Sequence, residues 1–260
     1  MWKRFYQTTG FGALLAGPLR RAGHAVLDVI YPPSCLSCRK ATMDHGVLCG
    51  ACWHKVRFIE RPYCERLGTP FPQDYGQTLL SPAAMADPPV FERARAVARF
   101  EDGPARHLIH RLKYGDRVEL ALSMGQWMAR AGAELLSDAD VLIPVPLHRR
   151  KLMARRFNQA MALADVIGRQ ANLPVEPFWL TRVKPTRPQV GLSKVQRAEN
   201  VQGAFKVLEE QALFVKNKKI LLIDDVLTSG STLNAASRAL LRAGVLRVDV
   251  LVFARVVTGT

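Results

Sequence analysis

The sequence predicts an α/β fold, a parallel sheet flanked by helices, preceded by a small cysteine-rich module. Two observations support this prediction: short apolar runs alternate with helical patterns after residue 91, and two Cys-x-x-Cys pairs precede them. A third is that one apolar run ends in two acids and a loop of Thr, Ser and Gly. We therefore expect a leader at 1–34, a cysteine module at 35–66, a linker at 67–90 and an α/β domain at 91–260.

The leader is expected to contain a short helix at 19–30 that runs into the cysteine module. Its apolar stretch FGALLAGPL follows Lys3 and Arg4, as in a signal peptide, but Arg20 and Arg21 come soon afterwards and no cleavage site is clear. No apolar run in the chain approaches the roughly 20 residues that a membrane span requires. We therefore expect a cytoplasmic protein without a membrane span.

The two cysteine pairs, CLSC and CGAC, are separated by ten residues. Zn²⁺ prefers four soft ligands at tetrahedral corners, and each pair can supply two thiolates. Disulfides are the alternative, but a protein that is not secreted stays in a reducing compartment, where such pairs more often bind metal. Four protein ligands leave no open coordination position, so we predict a structural zinc. Its ligands would be Cys35, Cys38, Cys49 and Cys52, with His45 or His54 as alternatives to one thiolate. Cys64 is left over, as a buried thiol or as a relic of another Cys-x-x-Cys pair.

Residues 62–89, at the end of the cysteine module and beyond it, are rich in proline, which predicts an irregular linker. The prolines are Pro62, Pro70, Pro72, Pro82, Pro88 and Pro89. No internal repeat and no low-complexity tract is evident in the chain.

The α/β domain shows strands and helices in alternation. Strands are predicted at 94–100, 140–145, 220–223 and 248–254, and helices at 105–114, 118–136, 159–170 and 233–241. The segment 181–205, with several basic residues, two prolines and two glycines, is predicted to be a mobile, basic loop. This order of elements indicates a largely parallel sheet.

The string ILLIDDVLTSGST, residues 220–232, joins a buried strand to two acids and a helix start. The free N–H groups of a helix start favour an anion such as phosphate, and hydroxyl side chains add donors. Gly230 allows a close backbone approach or a positive φ. The two carboxylates would repel phosphate but can accept hydrogen bonds from vicinal hydroxyls, so the string fits ribose 5-phosphate. The residues concerned are Asp224, Asp225, Val226, Leu227, Thr228, Ser229, Gly230, Ser231 and Thr232.

The alternative interpretation of this string is ordinary turn and capping chemistry, in which Asp follows a strand and Ser or Thr caps a helix. Two competing phosphate motifs are missing from the sequence. No loop ends in Gly-Lys-Ser or Gly-Lys-Thr, and no Gly-x-Gly-x-x-Gly opens a helix.

A second charged segment, HRRKLMARR, follows the predicted strand at 140–145 and contains no acid. Because open α/β sheets bind ligands beyond the carboxyl ends of their strands, this segment is predicted to attract a pyrophosphate or a nucleic-acid backbone. A solvated basic face is the alternative. The net charge of +15 also favours polyanionic partners over a merely basic soluble protein. The basic residues are His148, Arg149, Arg150, Lys151, Arg155 and Arg156.

Taken together, the motifs resemble the ComF family of competence proteins, also called GntX-like. The strings that carry the resemblance are CLSC…CGAC, IPVPLHRRKLMARRFNQA, QVGLSKVQRAENVQGAF and LLIDDVLTSGSTL, in that order. The resemblance implies a type I phosphoribosyltransferase-like fold behind a zinc ribbon. It also implies a role in natural transformation, where incoming single-stranded DNA is handled with a helicase and a recombination loader.

The resemblance further implies a ligand, phosphoribosyl pyrophosphate with Mg²⁺. Asp224 and Asp225 would contact the ribose hydroxyls, residues 228–232 the 5-phosphate, and the basic segment after Pro146 the pyrophosphate. Many relatives carry a further Cys-x-x-Cys near Cys64, where this chain has YCERLGTP, and this departure does not favour a second zinc. The alternative function is an active phosphoribosyltransferase that acts on a nitrogenous acceptor, although the sequence identifies neither the acceptor nor a catalytic residue.

Overall fold

The structure is a computed structural model, and it describes residues 31–257 except 75, 77–78, 116, 187–190 and 192. The helix predicted at 19–30 lies outside the described residues. In chain order the strands are β1 (Ala94–Arg99), β2 (Val141–Pro144), β3 (Thr181–Arg182), β4 (Phe205–Lys206), β5 (Lys219–Leu227) and β6 (Arg247–Arg255). The helices are α1 (Gly50–Trp53), α2 (Pro82–Ala86), α3 (Pro104–Tyr114), α4 (Leu120–Ala131), α5 (Ala133–Leu136), α6 (Arg149–Arg155), α7 (Gln159–Ala171), α8 (Lys194–Val201), α9 (Glu209–Val215) and α10 (Ser231–Arg242).

Four strands form a parallel sheet in the order β1-β6-β5-β2. The two central strands are the most apolar, and residues 220–223 and 250–254 have almost no solvent exposure. Such continuous apolar runs are what a strand covered on both faces requires. The predicted α/β fold with a parallel sheet is confirmed.

Helices cover both faces of this sheet. On one face α4 and α7 pack against each other and against the strands, and on the other face α10 packs with α8 and the β3–β4 pair. The helix α10 connects β5 to β6, so the loop that follows β5 leads directly into it. The sheet therefore presents the carboxyl end of a central strand next to a helix start.

The cysteine module packs onto the core of the α/β domain. Leu36, Leu48 and Val56 belong to the same buried apolar cluster as Leu108 and Met124 of the domain. A chain of aromatic rings continues this contact into the sheet. Its ring centroids lie 4.8 Å apart for Phe58 and Trp53, 5.8 Å for Trp53 and Trp127, and 6.1 Å for Trp127 and Phe253.

Several predicted elements differ from the observed ones. The helix predicted at 118–136 is broken at Gly132, where a Cβ atom would lie 2.7 Å from Leu251 Cδ2, so close packing on β6 replaces a continuous helix. The segment 181–205 contains the short strands β3 and β4 and the helix α8, which begins with a capping box formed by Ser193 and Gln196. The proline-rich stretch is not wholly irregular, because α2 begins there with Ser81 as its N-cap.

None of the helices in the described part of the chain combines the length and the apolar character that crossing a bilayer demands.

Candidate phosphate site and cysteine cluster

The strand β5 is longer than predicted and carries both acids within it. Its pairing with β2 ends at Pro144 opposite Ile223, whereas its pairing with β6 continues as far as Leu227. Asp224 and Asp225 therefore lie beyond the end of β2, in the part of β5 that is paired with β6 alone. A crevice at the carboxyl end of such strands is the usual ligand position in open α/β sheets.

The loop after β5 has the geometry of a helix start. Gly230 is the N-cap of α10 with a φ of +77°, a left-handed conformation that strains residues with a side chain. The hydroxyl oxygens of Ser229 and Ser231 lie 2.9 Å apart, and Thr228 is exposed at the mouth of the loop. The first N–H groups of an α-helix lack partners within the helix, so this loop offers hydrogen-bond donors to an anion.

Asp224 and Asp225 make different contacts with the rest of the protein. The Oδ2 atom of Asp225 lies 2.7 Å from Nζ of Lys113, and the Asp225 N–H donates to Oδ1 of Asp224 at 2.9 Å. Asp225 is buried, contrary to the expectation that both carboxylates lie beyond the strand. Burial, followed by the charge of Asp225, raises the pKa of Asp224 to about 7.

A group of cations surrounds the acids. Burial lowers the pKa of Lys151, and the nearby charges of Arg182, Arg155 and Lys113 lower it further. Burial likewise lowers the pKa of Arg182, while Asp224 opposes this shift. Repulsion among clustered cations is relieved when an anion binds between them, so this part of the crevice favours a ligand with several negative charges.

The structure divides the six predicted basic residues into two sets. Lys151 and Arg155 are one helical turn apart on α6 and are half-buried beside the crevice. Arg155 donates to the Tyr114 hydroxyl and to Oε1 of Gln159, both at 3.1 Å. The other residues are placed differently: His148 accepts from the Arg150 N–H at the start of α6, and Arg149, Arg150 and Arg156 are exposed.

Three residues near the crevice, namely Lys113, Arg182 and Gln159, were not identified from the sequence. Lys113 lies in the last turn of the helix α3 and belongs to no sequence motif, so only the fold brings it to Asp225. Arg182 belongs to the segment predicted to be a mobile loop, whose many bases were the available signal. Within the described residues, Nε of Arg182 and Nε2 of Gln159 are buried donors without a hydrogen-bond partner. Buried donors of this kind are normally satisfied, and a bound ligand can do so.

The four cysteines predicted to bind zinc lie together. The sulfur atoms of Cys35, Cys38, Cys49 and Cys52 are all within 4.8 Å of one another, and none forms a disulfide. A tetrahedral zinc site with Zn–S bonds of about 2.3 Å separates its sulfurs by about 3.8 Å. The Sγ atoms of Cys38 and Cys49 are 3.6 Å apart, and the Cys49 N–H donates to Cys35 Sγ at 3.3 Å. The cluster therefore fits a structural zinc ion.

The raised pKa of Asp224 predicts how a D224N variant responds to pH. The ordinary pKa of the group is 3.8, so its ionisation costs stability as pH rises from about 4 to about 7 and the full cost is present above pH 7. Because Asn does not ionise, D224N is expected to melt a few degrees above the wild type at pH 8, with the gain shrinking toward pH 4.5. Thermal unfolding followed by circular dichroism at several pH values measures this, and a pH-independent difference would contradict it.

The sheet, the strand–loop–helix unit and the cysteine cluster define a class of protein that joins a zinc ribbon to a phosphoribosyltransferase-type domain. Two family models match accordingly: a double zinc ribbon domain at residues 26–84 and a phosphoribosyl transferase domain at residues 158–260. The region before residue 158, which supplies Lys113 and Lys151, lies outside the second match.

Curated relatives are similar to this chain over most of its length. The chain is 29% identical over 227 residues to Competence protein F of Haemophilus influenzae, covering 85% of this chain and 96% of that one. It is 29% identical over 226 residues to DNA utilization protein YhgH of Escherichia coli strain K12, covering 84% and 95%. The chain is thus similar over most of its length to competence and DNA utilization proteins, in agreement with the resemblance to the ComF family that its motifs indicate. Among solved structures, glutamine phosphoribosylpyrophosphate amidotransferase from B. subtilis is similar at 18% identity and a TM-score of 0.34, over 54% of this chain and 29% of that chain.

Proposed function

We propose that this chain binds phosphoribosyl pyrophosphate together with Mg²⁺ in the crevice beside β5, and that it acts in the handling of incoming DNA. The observation that carries the proposal is the convergence of three features there. An acid pair, a helix start with hydroxyl side chains, and a group of cations meet at one strand end.

Each part of the ligand has a chemical counterpart in the crevice. Asp224 and Asp225 would accept hydrogen bonds from the two ribose hydroxyls, and the loop 228–232 would donate to the 5-phosphate. The pyrophosphate would lie near Lys151 and Arg182, whose mutual repulsion it would relieve. Mg²⁺ is usually bound through phosphate oxygens and water, and it would offset the remaining negative charge of the pyrophosphate.

The experiment that tests the proposal is calorimetric titration of phosphoribosyl pyrophosphate with and without Mg²⁺. We expect saturable binding that strengthens with Mg²⁺ and weaker binding of ribose 5-phosphate, which lacks the pyrophosphate. Replacing Arg182 by Gln should weaken binding of the full ligand by about tenfold or more, because a charge-assisted hydrogen bond contributes roughly 1.5–3 kcal/mol. The same change should leave ribose 5-phosphate binding nearly unaltered.

Arg238→Gln is the matched control for this titration, since Arg238 is exposed on the far part of α10 and loses the same charge. Saturable binding that is equally weakened by both variants would reflect net charge and would contradict a defined pyrophosphate position. An active phosphoribosyltransferase is the alternative function, and it is tested in the same samples by measuring pyrophosphate release after a nitrogenous acceptor is added.

The DNA-related part of the proposal rests on the names of the two relatives and on the exposed arginines of α6. Those arginines are exposed, whereas Lys151 and Arg155 are half-buried, so one protein could hold a sugar phosphate and a polyanion at the same time. The net charge of +15 favours nucleic acid as that polyanion.

Single-stranded DNA is expected to bind with strong salt dependence and little sequence preference, because binding releases counterions from the phosphates. Replacing Arg149, Arg150 and Arg156 by Ala should weaken binding and reduce the slope of log K against log salt by about 2. Fluorescence anisotropy with a labelled oligonucleotide between roughly 50 and 200 mM salt measures both. Unchanged affinity across this range in the wild type would refute the electrostatic interface.

A further inference from the structure

The backbone around Cys35 is repeated around Cys64. The Cys35 N–H donates to Lys40 O at 2.8 Å, and the Cys64 N–H donates to Thr69 O at 2.8 Å. Antiparallel bridges frame both turns, Ser34 with Ala41 and Tyr63 with Pro70. In each turn the fifth residue of the motif takes a left-handed conformation, with a φ of 66° at Arg39 and 63° at Gly68. The two turns have the same fold, which corrects the expectation that the chain contains no internal repeat.

The second half of each unit is repeated as well. The Cys49 N–H donates to the sulfur of Cys35 at 3.3 Å, and the Ser81 N–H donates to the sulfur of Cys64 at 3.2 Å. Each of these donors is the N-cap of a short helix, Cys49 for α1 and Ser81 for α2. The described residues among 62–86 therefore reproduce the backbone of the ribbon formed by residues 33–54.

The repeat identifies four positions that correspond to the zinc ligands of the first ribbon. Counting along the two units places Cys64 at the position of Cys35, and the three others are Leu67, Ser81 and Ala84. Leu67 and Ala84 have no ligand atom, and Zn²⁺ in structural sites takes four ligands from Cys, His and acidic side chains. Among the described residues, the cysteines of the first ribbon are the single cluster that could hold a metal ion.

We propose that residues 62–86 are a second ribbon that folds without metal, although the matching family model describes a double zinc ribbon. The stretch first interpreted as a linker would then be half of a structural module. The centre of this second ribbon is dry: the exposed fractions are 0% for Cys64, 2% for Ala84 and 8% for Ser81. Apolar packing and hydrogen bonds to one sulfur occupy the place of the metal and its other ligands.

Two arginines of the sheet donate hydrogen bonds to the backbone of the second ribbon. Arg255, at the end of β6, donates to the carbonyl oxygen of Leu67, and Arg95 of β1 donates to the carbonyl oxygen of Glu65 at 2.7 Å. Burial lowers the pKa of Arg255 to about 10, and the nearby Cys64 opposes this shift. The sheet thus supplies positive charge beside the remaining cysteine, where a zinc ribbon would have its metal ion.

The test restores the missing ligands. The variant Leu67→Cys/Ser81→Cys/Ala84→Cys completes a four-cysteine set on a backbone that already has ribbon geometry, so its zinc content should rise from about one to about two equivalents. Leu67→Cys is the control and should stay near one equivalent, because together with Cys64 it offers two ligands. Metal analysis after gel filtration measures the content. A wild type with two equivalents, or a folded triple variant with one, would overturn the proposal.

A second measurement uses the wild type and does not depend on how the variant folds. After chelation of zinc, amide hydrogen exchange at Cys49 and Arg39 should accelerate by at least tenfold, because the first ribbon loses its metal. Exchange at the corresponding positions, Ser81 and Gly68, should change by less than twofold. Equal acceleration at both pairs would show that the second ribbon also depends on metal.

Discussion

Replacing Asp224 and Asp225 together by Asn is expected to weaken binding of phosphoribosyl pyrophosphate by about 100-fold. Asn keeps the size of each side chain but removes its charge, and each hydrogen bond to a charged acceptor contributes roughly 1.5–3 kcal/mol. Lys113 already pairs with Asp225 and competes for its carboxylate, so the observed loss should fall at the lower end of the sum for two bonds. Isothermal titration at pH 8, where Asp224 is ionised, measures the effect.

The control for this variant is Asp140→Asn at the opposite end of the sheet. Asp140 is exposed and accepts from the Lys219 N–H at 2.8 Å at the start of β5, so its replacement removes a carboxylate charge far from the crevice. Its affinity for the ligand should match that of the wild type. Equal affinity in wild type and in the Asp224/Asp225 variant would mean that the two acids have only a structural role at the strand end and do not contact ribose.

Replacing Cys38 by Ser is expected to remove zinc and to lower the melting temperature by about 10 °C. Cys38 is the exposed ligand of the cluster, so the substitution leaves no cavity and acts through the metal. A small ribbon has little core of its own, and the free energy of zinc binding is largely its folding free energy. A loss of a few kcal/mol shifts the midpoint of a protein of this size by roughly 10 °C. Metal analysis and differential scanning calorimetry measure the two effects.

Tryptophan fluorescence gives this experiment a local readout. Trp53 packs against Phe58 and Trp127, so loss of the ribbon should expose both indoles and shift their emission to longer wavelength. Cys64→Ser is the matched control, because this buried thiol lies outside the cluster and its change should leave one equivalent of zinc in place. Retention of a full equivalent of zinc by the Cys38→Ser variant would argue against the four-cysteine site.

The sequence predicted those parts of the fold that depend on local patterns. The buried runs of β5 and β6, the cysteine pairs and the loop around Gly230 carry their signals in a few consecutive residues. Their structural roles could therefore be predicted from spacing and polarity alone. The break at Gly132 could not, because it depends on contact with Leu251 from a strand more than a hundred residues later.

The candidate crevice was predictable in part for the same reason. The acids and the hydroxyl loop form one string, whereas Lys113 and Arg182 reach the site from separate elements and pair with it only through the fold. The second ribbon escaped detection because the repeat survives in backbone hydrogen bonds and not in side chains. Of its four ligand positions, Cys64 alone still has the residue type that zinc ribbons share.

The shared core of ribbon and sheet limits how these proteins can be recombined. The residues Leu36, Leu48 and Val56 share one buried apolar cluster with residues of α3 and α4, so the two parts have to vary together. A ribbon transplanted from a relative at 29% identity would meet foreign partners at this surface even if its metal site were intact. Chimaeras should therefore work best when the exchanged segment runs from the first cysteine through the end of α4, residue 131.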